Sequence, residues 1–394
     1  MGWLLFDDRR NLPVYIWFTM AAMGGLMTLT EAIQSALELV AQDDIDGALR
    51  AFDRIEASVP GDATVLRLRA QTYLKVGQYA EAARILFGLV RADPKVDPIF
   101  DLVWALVHAR AYVDIVGVCA EYKHVIAGDK RFLAALGMAQ TALGRYQDAL
   151  ATLSQAREVL PRDFYVRHNL SIALLHLGRH EEAVEVFSEL LPDWDGSAPD
   201  GVTLERLDAI SVGYDDNELH NYFSDRLLRL YQGHFPARRM RRVLEMGTGT
   251  GLLASKLPAS TTSVTGIERS PGMLAQARAR KVYDTLIEGE MPGGLASIEG
   301  PFETILSSCV LYYFADLEPF FREASRLTEP GGVFVFSVDP LCDPREVAAT
   351  VPGEYAHSRS YLRRLATEAG FREVAMEIDR HRGPPGFWCA FKRG

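Results

Sequence analysis

The chain has 394 residues, of which 48% are hydrophobic and 24% charged, a composition typical of a soluble protein with two or three domains. The net charge of −10 argues against a nucleic-acid-binding protein, which needs a clustered basic surface. The four cysteines lie far apart, without CxxC or Cys/His pairing, so neither a metal site nor a disulfide framework is expected and a cytoplasmic location fits best. They are Cys119, Cys309, Cys342 and Cys389.

The N-terminus contains an apolar segment, residues 14–27, that is shorter than the ~20 residues needed to span a bilayer. The preceding Asp-Asp-Arg-Arg is charge-balanced, and no clear signal-peptide cleavage site follows. A signal anchor is one interpretation. We favour the other, in which residues 1–28 are a leader that is disordered or precedes the true start at a methionine such as Met27. A membrane partner is therefore not expected.

The first half of the chain repeats itself. Residues of one type recur 34 positions apart in the pairs Ala48 and Ala82, Pro60 and Pro94, Gly144 and Gly178, and Ala149 and Ala183. Each window has Gly or Asp in a tight turn, then an aromatic or similar residue, then an Ala small enough for close helix packing. The pattern resembles the tetratricopeptide repeat (TPR) over about residues 29–196, with five units. The third unit, 97–128, is degenerate because it lacks both the Gly and the Ala.

The repeat resemblance implies an all-α solenoid with a concave groove, which would bind a protein or peptide or form a dimer interface. A scaffold that only holds the second domain is the alternative. Pro, Gly and Asp then cluster at 192–204, which predicts a linker. The domain plan is thus a leader (1–28), repeats (29–196), linker and pre-domain helices (197–235) and a second domain (236–394).

The second half alternates apolar runs of about five residues with helical stretches, which indicates βαβ units on a parallel sheet. Seven strands are predicted, in the segments RVLEM, SVTGIE, TLIEG, ETILSS, GVFVFSV, REVAMEI and FWCAFK. Helices are predicted between them, in LLASKL, PGMLAQARARK, LEPFFREASRL and SRSYLRRLATEAG.

A glycine-rich loop follows the first of these strands. The sequence VLEMGTGTG ends the strand in Glu245 and continues through Gly247, Gly249 and Gly251. Glycines allow positive φ and let a ligand contact bare backbone, and the acid can accept a hydrogen bond from a cationic amine. A helix-dipole role for Glu245 is the alternative. Seventeen residues after Gly251, the next strand ends in Glu268, which is placed to accept both hydroxyls of a ribose.

These motifs resemble those of class I S-adenosylmethionine (SAM)-dependent methyltransferases. VLEMGTGTG is similar to their first motif and ERSPGML to their second, while SSCVLYYFADLEPFF and LTEPGGVFVFS are similar to their fourth-strand and fifth-strand segments. The whole chain resembles bacterial TPR-containing methyltransferases, in which segments like YAHS (355–358) and HRGPPGFW recur. The resemblance implies a Rossmann-like α/β domain with a seven-stranded sheet, SAM as cofactor, and no metal. A dinucleotide-binding fold is the rival, but it leaves Glu245 and the Pro-Gly-Gly turn unexplained.

Further site residues follow from the resemblance. Glu290, in the segment EGE, is expected beside the adenine, and Tyr214, in the pre-domain segment, is expected to close over the cofactor. Tyr312, Tyr313 and His357 are the candidates for catalysis, although packing or a structural role is the alternative for each. Cys309 departs from the resemblance, because relatives tend to carry Asp there. Methyl transfer from a sulfonium needs mainly positioning and desolvation, so a catalytic base is hard to identify from sequence.

The function that we expect is a SAM-dependent methyltransferase whose repeats recruit a protein or carrier-bound substrate. Two alternatives remain open: a TPR interaction protein whose SAM-binding domain is catalytically weak, and a small-molecule methyltransferase that uses the repeats as a dimer interface. The absence of an Asn-Pro-Pro-Tyr segment after the fourth strand argues against amide or base nitrogen as the methyl acceptor.

Overall fold

The computed structural model describes residues 28–189, 191–194, 196, 204–351 and 353–394. The chain divides into two compact units, Met1–Gly144 and Arg145–Gly394. The predicted leader falls almost wholly outside the described residues, and so does most of the predicted linker. Among the described residues, no helix has the length and apolar character needed to cross a membrane.

The described part of the N-terminal unit is built from helices. They are α1 (Leu29–Ala41), α2 (Ile45–Ser58), α3 (Ala63–Lys75), α4 (Tyr79–Ala92), α5 (Val96–His108), α6 (Tyr112–Glu121) and α7 (Arg131–Ala142). The first helix begins with a capping box, in which Thr28 and Glu31 each satisfy the other's backbone N–H. The core of this unit is apolar and includes fully buried Leu86, Ile99 and Ile115.

The turn inside each repeat requires one residue in the left-handed region. That residue is Asp43, Gly77, Arg110, Gly144 or Gly178, with φ between 56° and 76°. The degenerate third repeat therefore keeps the turn and puts Arg110 where three others have glycine. Five positions later the other four repeats have a fully buried alanine, and the third has the fully buried Ile115. The TPR fold predicted from the 34-residue period is confirmed.

The C-terminal unit begins with three more repeat helices and continues into an α/β domain. Its helices are α8 (Tyr146–Val159), α9 (Phe164–His176), α10 (His180–Ser188), α11 (Leu204–Ser211), α12 (Glu218–His234), α13 (Pro271–Arg280), α14 (Glu318–Leu327) and α15 (Arg359–Glu368). Its strands are β1 (Arg242–Met246), β2 (Ser263–Glu268), β3 (Thr285–Glu288), β4 (Phe302–Ser307), β5 (Thr328–Leu341), β6 (Val347–Val351), β7 (Glu354–Ser358), β8 (Phe371–Arg380) and β9 (Pro385–Arg393).

The strands form one sheet in the order β3-β2-β1-β4-β5-β7-β6, with β9 pairing to β5 and β8 to β9. The pairs from β3 through to β5, and β5 with β7, are parallel, whereas β8, β9 and β6 join antiparallel. The predicted Rossmann-like architecture is confirmed, but the predicted seven strands are too few, since the described residues form nine. The two additional strands, β6 and β7, are short. Strand β7 pairs with Asp339–Leu341 of β5, which follow the apolar run from which β5 was predicted, and β6 pairs with β7. The segment LLASKL also differs, because it forms a single 3-10 turn, Ala254–Lys256.

The last repeat packs directly on the sheet. Val184 of α10 belongs to the main apolar core of the α/β domain, and Phe187 packs with Leu191, Leu341 and Ala348. The guanidinium of Arg345 donates to the carbonyl oxygens of Ser188 and Leu191, at 2.6 Å each. Helix α10 is therefore part of the hydrophobic core of the C-terminal unit, although its sequence is that of a repeat. The predicted domain boundaries, which follow the motifs, remain a prediction.

Candidate functional site

The glycine loop follows β1 at the carboxyl edge of the sheet. Gly247, Gly249 and Gly251 all have positive φ, at 77°, 50° and 80°. A Cβ atom on Gly247 would lie 2.5 Å from a methyl carbon of Val310, so this position also excludes any side chain on steric grounds. The loop therefore needs glycine for its backbone conformation, as the sequence predicts, and Gly247 is needed also because Val310 packs against it.

Glu268, at the end of the neighbouring strand β2, is tied to this loop. One carboxylate oxygen accepts the N–H of Gly249 at 3.0 Å, and the other accepts the N–H groups of Arg269 and Ser270 at 2.9 and 3.0 Å. Because each carboxylate oxygen has two lone pairs, the group retains acceptor capacity for a ligand. Ser270 caps α13, and the helix begins at Pro271, the first residue of the predicted segment PGMLAQARARK.

Glu245 is almost completely buried beneath the loop. Its carboxyl accepts the hydroxyl of Tyr283 at 2.7 Å. Burial raises the pKa of Glu245 to about 8, and the hydrogen bond from Tyr283 offsets only part of this effect. At neutral pH the carboxyl is therefore mostly protonated, and a cationic ligand beside it would favour the ionised form.

These residues line a cleft that encloses about 1150 Å³, including its open mouth. Of the predicted cofactor-binding residues, six line it: Tyr214, Glu245, Gly247, Gly249, Glu268 and Glu290. Gly251 shapes the loop without lining the cleft. The Glu290 side chain is 61% exposed and pairs with Arg269 at 3.1 Å, so it lies at the rim.

Tyr214 stacks on His220, with ring centroids 3.6 Å apart, and burial raises the pKa of its hydroxyl. Its neighbour Asp215 accepts the hydroxyl of Thr250 at 2.6 Å and also pairs with Arg280. Asp215 therefore fastens the pre-domain segment to the glycine loop. This role of Asp215 could not be predicted from the sequence, because aspartate in a polar segment carries no signal of such a contact.

The three predicted catalytic residues are placed differently from one another. Tyr313 lines the cleft, and Tyr312 is buried behind it, with ring centroids 4.2 Å apart. His357 is fully buried outside the cleft wall, where its Nε2 lies 3.2 Å from the carbonyl oxygen of Ala315. Burial lowers the pKa of His357 to about 4. This placement leaves His357 out of the set of side chains that can reach a substrate in the cleft.

A polar cluster beside the cleft was not predicted. Cys309 lines the cleft next to Tyr313, and behind it lie Ser337, Asp339 and His381, all fully buried. His381 and Arg382 come from the segment HRGPPGFW, which sequence analysis noted without assigning a role. The recurrence of that segment was the available signal, but its contacts with Cys309 and Asp339 exist only in the folded chain.

Comparison with known proteins agrees with this geometry. Residues 244–336 match the family model for a methyltransferase domain, and residues 39–106 and 134–198 match models for the tetratricopeptide repeat. The chain combines tetratricopeptide repeats with a methyltransferase domain. These matches agree with the enzyme class and the SAM cofactor expected from the motifs.

Individual relatives cover only part of the chain. A malonyl-[acyl-carrier protein] O-methyltransferase of Enterobacter lignolyticus is 29% identical over 166 residues, which are 41% of this chain and 63% of that protein. The human mitochondrial ubiquinone biosynthesis O-methyltransferase is 25% identical over 30% of this chain and 34% of its own length. A crystal structure of magnesium protoporphyrin IX methyltransferase from Synechocystis PCC 6803 aligns with 56% of this chain and 96% of its own, at 16% identity and a TM-score of 0.37. The chain spans 48% to 65% of the length of three malonyl-[acyl-carrier protein] relatives.

Proposed function

We propose that this chain is a SAM-dependent methyltransferase that acts on a protein or a carrier-bound acceptor recruited by its repeats. The observation that carries the proposal is the pair of carboxyl groups, Glu245 and Glu268, at the ends of adjacent parallel strands with a glycine loop between them. In open α/β sheets ligands bind at this edge. SAM supplies a methyl group already activated on a sulfonium, so the protein needs chiefly to bind, orient and desolvate.

Six side chains that line the cleft have a role in this proposal. Glu268, oriented by three backbone N–H groups, accepts a hydrogen bond from a ribose hydroxyl with its remaining lone pair. Glu245 accepts a hydrogen bond from the ammonium group of the methionine moiety. Glu290 at the rim borders the adenine, and the stacked Tyr214 covers the cofactor. Tyr313 and Cys309 also line the cleft and are available to contact the cofactor and the methyl acceptor.

Two observations support a large acceptor. The names of the malonyl-[acyl-carrier protein] relatives include a carrier protein. In addition, repeat helix α9 adjoins the β8–β9 turn that carries His381, since a Cβ atom on Gly383 would lie 3.9 Å from the Cδ1 of Ile172. The last repeats therefore pack against the α/β domain, so an acceptor that they hold is kept close to that domain.

The test uses SAM with a radioactive methyl group, first with native lysate and then with malonyl-loaded acyl-carrier protein. We expect label in macromolecules and little or none with Glu268→Ala. Label confined to small molecules would contradict the recruitment proposal while keeping the methyltransferase. A full chain that neither binds SAM nor transfers its methyl group would contradict the function itself.

The role of the repeats is tested by comparing the full chain with residues 145–394, which form a compact unit. We expect a similar kcat and a raised KM for the fragment on the macromolecular acceptor, because recruitment raises the effective concentration. Equal kcat/KM values would mean that repeats α1 to α7 do not recruit the acceptor.

A further inference from the structure

Cys309 occupies a strained position at the wall of the cleft. It follows β4 by two residues and has a φ of 55°, in the left-handed region that residues other than glycine rarely adopt. Its backbone N–H donates to the hydroxyl oxygen of Ser337 at 3.0 Å, which holds the turn in place. Strained residues of this kind concentrate at functional sites, because the surrounding structure must stabilise them.

The sulfur of Cys309 faces a histidine that is itself held by a carboxylate. Nε2 of His381 lies 3.2 Å from the Cys309 sulfur, and Nδ1 lies 2.7 Å from a carboxylate oxygen of Asp339. The Ser337 hydroxyl oxygen also lies 3.2 Å from Nε2 of His381 and 3.9 Å from the sulfur. A nucleophile, a base and a third group that orients the base make up the arrangement that activates cysteine nucleophiles.

The charges around His381 favour its cationic form. Burial lowers the pKa of His381, but the Cys309 sulfur and the Asp339 carboxylate outweigh this effect and raise it to about 9. Burial raises the pKa of Asp339, and the Arg382 guanidinium and His381 more than offset this, so Asp339 stays ionised. An imidazolium that donates to sulfur stabilises a thiolate.

The chain positions His381 by a dedicated turn between β8 and β9. The backbone N–H of His381 donates to the carbonyl oxygen of Pro384 at 2.8 Å. A Cβ atom on Gly386 would lie 2.2 Å from the Cβ of His381, so glycine is needed opposite the histidine. Arg382 also has a positive φ, of 57°, and its guanidinium lies 3.8 Å from the centre of the Tyr312 ring.

The other cysteines lack this environment. Burial raises the pKa of the Cys119 thiol to about 11 and raises that of Cys389 as well. Cys342 is partly exposed like Cys309, but burial raises the pKa of its thiol, and Ser188 is its hydrogen-bonding neighbour. Cys342 is therefore the matched control within the same unit.

We propose that Cys309, His381 and Asp339 form a thiol–imidazole–carboxylate triad that makes the Cys309 sulfur a nucleophile, and that Cys309 is the site at which peroxides modify this protein. The thiolate sulfur attacks one oxygen of hydrogen peroxide, an S–O bond forms and the O–O bond breaks. Cysteine is oxidised by two electrons to sulfenic acid, and the peroxide is reduced. The departing hydroxide takes a proton from the His381 imidazolium and leaves as water.

The modification acts on the cleft. An added oxygen on the Cys309 sulfur occupies space in the cleft wall, so cofactor binding weakens when the thiol is oxidised. This consequence rests on the proposed function, whereas the reactivity of Cys309 does not. The two are therefore measured separately.

Reactivity is tested on the full chain with iodoacetamide at pH 7, with alkylation of each cysteine followed by mass spectrometry. We expect Cys309 to react at least about tenfold faster than Cys342, because thiolate character sets the rate. His381→Asn and Asp339→Asn should each slow Cys309 about fivefold or more and leave Cys342 unchanged. Circular dichroism shows whether each variant is folded. If only one of the two variants folds, that variant alone tests the triad. Equal rates at Cys309 and Cys342, or no effect of a folded triad variant, would overturn the triad.

The consequence is tested by titrating S-adenosylhomocysteine (SAH) into the full chain before and after treatment with hydrogen peroxide. We expect oxidation to weaken SAH binding at least about fivefold and dithiothreitol to restore it, with a sulfenic acid on Cys309 trapped by dimedone. In Cys309→Ser, peroxide should leave the affinity as it was. A chain that never binds SAH but alkylates rapidly at Cys309 contradicts the proposed function and supports the triad. Unchanged SAH binding with Cys309 fully oxidised would overturn the inference that oxidation of Cys309 weakens cofactor binding.

Discussion

On the proposed function, Glu245 should give cofactor binding a pH dependence that calorimetry can measure. Its carboxyl is buried, with a pKa of about 8 in the free protein. If it accepts the ammonium of the cofactor, the bound form must be ionised, so binding releases a proton. As the pH rises toward 8, a larger fraction of the free protein already has Glu245 ionised, so the affinity for the cofactor rises with pH.

The magnitude follows from this pKa. At pH 6.5 a carboxyl with a pKa of about 8 is roughly 97% protonated, whereas the amino group of SAH, which has an ionised carboxylate beside it, is almost fully protonated. SAH binding should therefore release about one proton at pH 6.5. Between pH 6 and pH 7 the affinity should rise roughly ninefold.

The assay is calorimetric titration of SAH in buffers of different ionisation enthalpy, which counts the protons released. Glu245→Gln is the matched control, since it keeps the shape and has no proton to release. The variant should bind more weakly than the native protein at pH 7.5, with an affinity that hardly changes from pH 6 to pH 7. Release of less than about 0.3 proton by the native protein, or equal release by the variant, would refute this role of Glu245.

Two further predictions concern the loop and the limits of the C-terminal unit. Gly247→Ala should lower the melting temperature and the SAH affinity more than Gly249→Ala does. Both alanines would have strained φ angles, at a cost of about 1–2 kcal/mol, but only the alanine at 247 would also clash with Val310. Equal losses in the two variants would contradict the steric argument. A fragment 204–394 should be at least about 5 kcal/mol less stable than 145–394, since it loses the buried side chains of Val184, Phe187 and Leu191. Thermal unfolding followed by circular dichroism measures the difference. Equal melting temperatures would show that α10 does not stabilise the sheet.

The parts of the site that could be predicted are those in which local sequence determines the function. The glycine loop with Glu245 is one contiguous segment, and Glu268 ends the next strand, so strand order alone brings them together. The repeats are equally local, because each helix pair is specified within 34 residues. Even so, Arg110 shows that the left-handed turn tolerates a residue that the pattern excludes.

The parts that could not be predicted depend on contacts between distant segments. His381 is 72 residues from Cys309 and 42 from Asp339, and they meet only because β9 pairs with β5 while β4 lies on the other side of β5. His357 was chosen for the ordinary pKa of histidine, but burial lowers its pKa and removes it from the cleft. Composition and motif position say nothing about such burial.

The structure also separates repeats that the sequence treats alike. By the 34-residue pattern the last repeat is ordinary, yet Val184 and Phe187 of α10 are core residues of the α/β domain, and Arg359 pairs with Glu181 at 2.8 Å. A helix face that is buried against the sheet is unavailable to a partner. Recruitment by this face of α10 is therefore excluded, whereas helices α1 to α7 belong to a separate compact unit. On the recruitment proposal, the residues that set partner choice should accordingly be sought between 29 and 144, and the role of α10 is to stabilise the domain that holds the cleft.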